Sequence, residues 1–253
     1  MLEAHAPHET LQTWRGFFIH IGAIVVGLII AVSLEQTVEF FHHRHQRSML
    51  EEQMHEVIED DTQIAPDIKR LTELRAYLVD LQSAVSARRH GQSTPVAPAA
   101  DDPRLNILMR LPSLAPYEAA KQNGTVALLS SERIRLYNRL GLQRDLMMTV
   151  YEHWFDDLAA VDAFSKRFEY SLGVAVLGKV DLAALSSPEL IEYQTLLGTL
   201  ISRVDWMMRR VRLFATECRA ILNGAHDEAD LLKAVSSTYA TGFEAPDSSV
   251  TRP

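Results

Sequence analysis

The sequence predicts an all-α protein in which one N-terminal transmembrane helix continues into a long stalk helix and then gives way to an antiparallel helical bundle. Three observations carry this. Gly16–Leu34 is nineteen residues without a formal charge. Apolar residues recur at seven- and 3.6-residue spacing through most of the chain beyond it. No stretch alternates with period two for long enough between turn signals to build a sheet.

The apolar run comes first. At about 1.5 Å of rise per residue, a helix of that length covers most of the ~30 Å hydrocarbon core of a bilayer. Trp14 and Arg15 stand at one end, and Glu35, Phe40, Phe41 and Arg44 at the other, an arrangement of interfacial anchors. Ala31-Val32-Ser33 would suit signal cleavage, but the preceding residues carry Glu3 and Glu9 and no Lys or Arg before Arg15, where a signal peptide has a basic start. The span is therefore assigned to residues 14–35, behind a polar mobile tail at 1–13. Within it Gly16, His20, Ala23, Gly27 and Ala31 share one helix face. Small residues there let a second helix approach closely, and His20 offers a polar partner across such a pair.

Between Glu35 and Pro66 there is no Gly or Pro, so the helix is expected to run on as a stalk over residues 36–90, kinked or broken near Pro66. Leu50, Val57, Ile64, Leu71, Leu78 and Val85 form an apolar seven-residue row. Its companion mixes Met54 and Ile68 with Asp61, Arg75 and Gln82. One intact row beside a degraded one fits a coiled coil, or a helix packed on its own C-terminal domain through a narrow seam. Residues 91–112 open with GQSTPVAPAADDPR and read as a Pro-rich linker.

The bundle is expected over 113–237. Pro116–Asn123 forms a short helix stopped by Gly124. Ser130 or Ser131 caps the next, whose apolar positions include Met147, Val150, Tyr151, Trp154, Leu158, Val161, Phe168 and Leu172, with Gly141 a point of interruption near its start. Ser187-Pro188-Glu189 supplies a capping hydroxyl, a proline for the first turn and an acid near the dipole. The helix it opens runs to Leu222 as the core of the bundle. Leu190, Leu197, Val204, Val211 and Cys218 repeat at seven along it, flanked by Tyr193, Ile201, Met208, Ala215 and Leu222. A last helix spans about 228–236, and 238–253 reads as a disordered tail.

The span IGAIVVGLIIAVSLEQTVE with its charged stalk, and the later PYEAAKQNGTVALLSSERIRLYNRL, resemble an uncharacterised bacterial family of small helical proteins with one N-terminal transmembrane anchor. In that family a helix bearing an aromatic and small residues leads to a glycine, a short apolar turn and a further helix. Tyr117, Ala120, Gly124, Val126, Leu128 and Leu129 occupy those places here, while the Asn- and Trp-rich segment at the membrane exit is missing. The resemblance implies an architecture in the bacterial inner membrane and no chemistry.

Charge and motifs narrow the function. A net charge of −8 argues against nucleic acid as a partner. With one cysteine there is no internal disulfide or cysteine-rich zinc site. GxSxG, P-loop, Gly-rich dinucleotide and HExxH patterns are all missing, so no catalytic residue and no cofactor is named. His42, His43 and His45 lie just past the span, with Glu39 three before His42, and Glu52 and His55 repeat that spacing. They are either a headgroup-contacting collar or, in an alternative reading as a membrane-bound metal or redox protein, its ligands. Glu152, His153, Asp156 and Asp157 gather beside Trp154 and Phe155, which belong to the packing face, and read as a solvated cluster. Arg203, Arg209, Arg210, Arg212 and Arg219 read as an outer helix face. The expected role is an interaction, scaffold or signal-relay module in contact with the lipid bilayer and, through the stripe and stalk, with a second copy or another membrane protein. Arg44 and Arg47 against Arg15 place the C-terminal domain in the cytoplasm by one residue of the positive-inside count.

Overall fold

The computed structural model describes residues 14–93, 104, 110–168 and 180–240. Among them there is no strand. Six α-helices run in order: α1 Trp14–Asp60, α2 Ala65–Arg89, α3 Ala115–Asn123, α4 Ser131–Lys166, α5 Ser187–Leu222 and α6 Glu228–Ala240, with a 3-10 turn at Thr125–Leu128. The expected tail at 1–13, most of the Pro-rich linker and Leu172 lie outside the described residues, as does the expected tail at 238–253 beyond Ala240; its first three residues, 238–240, instead extend the last helix. The chain divides into two compact units between Glu52 and Gln53.

The first unit is the N-terminal part of α1. Its apolar stretch is long enough to cross a membrane, and none of it is buried against protein. Large side chains such as Ile19 (73% exposed), Leu28 (63%) and Ile30 (63%) point outward all round the helix, leaving it no polar face. Rings collect at both ends: Trp14 stacks on Phe17 at 5.8 Å, and Phe40 meets Phe41 edge-on at 5.8 Å. The two groups are about 35 Å apart along the axis, near the thickness of a bilayer core.

The second unit is organised around α5. Ser186 caps it, one residue before the expected cap at Ser187: both its backbone N–H and its hydroxyl donate to Glu189 Oε2 at 2.7 Å, and Pro188 falls in the first turn. Leu190, Leu197, Val204, Val211 and Cys218 are all buried, as their spacing predicts. The second buried row is Tyr193, Leu200, Met207, Phe214 and Ile221, whereas the expected flankers Ile201, Met208 and Leu222 are only half-buried. The 3-4 alternation of the two rows gives one broad apolar face that a single neighbour cannot cover.

Helices α2 and α4 flank that face. Arg75 meets Asp205, and further along α2 Gln82 donates to the Gln194 carbonyl; Arg139 meets Glu217, and further along α4 Arg203 of α5 reaches Asp157. Numbers rise on one helix as they fall on the other, so α5 is antiparallel to both. Half of the expected stalk is thus a bundle helix: the chain breaks at Asp61–Ile64, and α2 buries Leu71, Leu74, Leu78, Leu81 and Val85. A narrow seam against the C-terminal domain is what that apolar row serves. Gly198 lets α2 come close, since a Cβ there would stand 3.3 Å from Gln82 Nε2.

Helix α4 starts at Ser130, whose hydroxyl accepts from the Arg133 N–H at 3.3 Å, and it runs through Gly141 without interruption. Gly141 is buried, and a Cβ there would meet Leu114 at 3.9 Å. Trp154, Val161 and Phe164 face α5, where the Phe164 ring lies flat on Tyr193 at 5.1 Å. Phe155, expected on the packing face, is 50% exposed, one helical step round from Trp154. Gly124 adopts φ 82°, the left-handed conformation that ends α3. Tyr117 is anchored on α4, donating to Asn138 Oδ1 at 3.0 Å.

Truncating Leu197, which is fully buried, to Ala is expected to cost about 3 kcal/mol, whereas Ile191→Ala on the exposed side should cost about 0.5 kcal/mol or less. Urea unfolding of the detergent-solubilised chain, followed by circular dichroism, reads both.

Candidate functional site

Gly16, His20, Ala23, Gly27 and Ala31 all fall within α1, and His20, Ala23, Gly27 and Ala31 are exposed. Nothing stands within 4 Å of a Cβ built on Gly27, so the stripe is open to a partner helix.

His42, His43 and His45 are exposed on the same helix. The rings of His42 and His43 are 6.4 Å apart, and His43 Nε2 is 3.9 Å from Glu39 Oε1. At about 100° per residue these three positions point in different directions. Among the described residues no three His, Cys, Asp or Glu side chains converge as a metal would need. His55 lies 4.0 Å from Glu59.

The α4 cluster separates into two roles. Glu152, His153 and Asp156 are exposed, with His153 Nδ1 3.4 Å from Asp156, but Asp157 is held by Arg203 Nε at 2.8 Å and is not solvated as expected. The arginines of α5 likewise tie it to its neighbours. Arg210 reaches Gln143 at 3.4 Å, Arg209 and Arg210 both lie over the Trp206 ring, and Arg219 donates to the Thr62 carbonyl at 3.2 Å.

Two buried acids carry no motif in the sequence. Glu217, fully buried on α5, accepts from Arg139 Nε and Nη2 through Oε1 at 3.0 and 2.9 Å. Arg139 also donates to Glu228 of α6 at 2.6 Å, which joins three helices through one guanidinium. Burial pushes the Glu217 carboxyl up, against the pull of Arg139, and its Oε2 has no hydrogen-bond partner. The signal was an acid set directly beside Cys218 in the buried seam.

Asp61, the first residue past α1, is 8% exposed and lines a recess with Asp60, Asp67, Arg110, Met147 and Phe214. The recess holds about 20 Å³ of free space, room for roughly one water molecule. Arg110 pairs with Asp60, its Nη1 donating at 2.7 Å, and reaches Asp61 Oδ1 only at 3.9 Å. Asp61 Oδ2 has no hydrogen-bond partner, and burial pushes its carboxyl from an ordinary 3.8 to about 6. In the sequence this position was visible only as a polar break in the Met54–Ile68 row.

No family model, no curated protein and no solved structure matches the chain. The likeness carried by PYEAAKQNG and the span remains one of residues alone, and the site is read from its own geometry.

That geometry makes two predictions. Arg139→Met leaves a buried carboxylate without its cation and should cost about 3 kcal/mol, while R139M/E217M should recover most of the loss, measured by urea unfolding. For Asp61, the folded state holds its proton more tightly than the unfolded chain, so stability should fall as pH rises from about 4 to about 6 and stay low above. Asp61→Asn should abolish that slope and be more stable at pH 7 by about 2 kcal/mol, read from thermal melts across pH.

Proposed function

We propose that the chain is a single-pass protein of the bacterial inner membrane whose helical bundle acts as an interaction or signal-relay module. One observation carries this reading: an apolar helix exposed on every side over its whole membrane-length stretch, ringed by aromatics at both ends. In water that surface would drive aggregation; in a bilayer it costs nothing. The same helix continues without a break from Trp14 to Asp60, so a change in the span has an unbroken path toward the bundle.

The stripe of Ala23, Gly27 and Ala31, open along its length, is the surface through which a second copy or another membrane helix docks. On the positive-inside count the bundle lies in the cytoplasm, Arg44 and Arg47 outnumbering Arg15.

Single cysteines at Ala23 and Gly27 should crosslink in native membranes, whereas one at Val25, on the opposite face, should not; equal yields, or no adduct at any position, would sink the pairing role. C-terminal fusions to a phosphatase and to a fluorescent reporter check the orientation. Fluorescence without phosphatase activity is expected, and the reverse puts the bundle in the periplasm.

A further inference from the structure

The turn between α1 and α2 carries an electrostatic conflict. Asp61 Oδ2 is sealed from solvent and receives no hydrogen bond. The cation facing it, Arg110, is held by Asp60 and stands 3.9 Å from Asp61 Oδ1. The other groups that meet the recess do not help a negative charge. Helix α2 brings Asp67, and α4 brings Met147, which is uncharged. Helix α5 brings the apolar Val211 and Phe214 to the lining; further along it are Cys218, whose thiol is pushed up by burial and then by the Asp61 carboxylate, and Arg219, whose Nη2 is engaged with the Thr62 carbonyl. Such a seat suits a neutral carboxyl and penalises a carboxylate.

We propose that the α1–α2 turn is a proton-operated latch: neutral Asp61 stays seated in the recess against Met147 and Phe214 with the turn closed, and ionised Asp61 swings outward to share Arg110 with Asp60, opening Asp61–Ile64. The proton goes to solvent, and no other covalent bond changes. Burial raises the Asp61 carboxyl to about 6, so the latch is mostly released at neutral pH and mostly closed at pH below about 6. Main-chain bonds that define the closed turn, Thr62 N–H to Glu59 and Gln63 N–H to Asp60 at 3.0 and 3.1 Å, are those that give way. All of this lies within the second unit and stands whether or not α1 spans a membrane.

Cys218, the only cysteine and fully buried, reports the latch. The full-length chain in detergent micelles is treated with 4,4′-dithiodipyridine at pH 5 and pH 8, as wild type and as Asp61→Asn. At pH 5 the two should react alike; at pH 8 wild type should react about tenfold faster, because opening follows the ionised fraction of Asp61. The carboxylate's direct effect on the thiol is in the other direction, so it cannot mimic this result. A wild-type to variant ratio that does not change with pH overturns the proposal. Wild type alone supplies the second measurement, hydrogen exchange at the Thr62, Gln63 and Ile64 amides corrected for intrinsic rate. Protection should fall between pH 5 and pH 8 at the turn and not along α5; a uniform change, or none, overturns the latch as well.

Discussion

The two-row apolar face of α5 is the constraint on which the bundle depends. A helix with one heptad row can be covered by one neighbour, but Leu190 through Cys218 and Tyr193 through Ile221 together form a face wide enough to need two. Helix α2 takes one side and α4 the other, which is why a segment that reads as a stalk is drawn into the core. The position of that segment is set by α5 more than by its own sequence.

Charges then set the register that apolar packing leaves loose. Arg75 with Asp205 fixes α2 on α5, and Arg203 with Asp157 and Arg139 with Glu217 fix α4. The half-exposed pairs add little free energy each. Glu217 differs, because its burial is tolerable only while Arg139 stays in place. Asp61 differs again: its Oδ2 is buried without a hydrogen bond and Arg110 stands 3.9 Å from its Oδ1, so its seat favours the neutral carboxyl over the carboxylate.

The two units differ in how they treat apolar surface. Helix α5 buries one broad apolar face, and its arginines Arg203, Arg210 and Arg219 reach across to the segments that flank it. Over residues 17–34, α1 is apolar and exposed all round, long enough to cross a membrane, with aromatic rings near both ends of that stretch.

How much of this was legible in the sequence depends on the range of each signal. The all-α class, the long apolar N-terminal helix, the break before Pro66, Gly124 as a helix stop and the Leu190–Cys218 row were legible, because charge-free length, proline geometry and heptad spacing act within a few turns of their own helix. The cap at Ser186 was missed by one residue, since Ser186 and Ser187 are chemically equal and only the Glu189 geometry separates them. The placement of α2 in the bundle, the pairing of Asp157 with Arg203, the exposure of Phe155 and the burial of Glu217 and Asp61 needed the tertiary structure. Each depends on a residue distant in sequence, and whether a charge is solvated, paired or stranded is decided by what packs against it rather than by its neighbours along the chain.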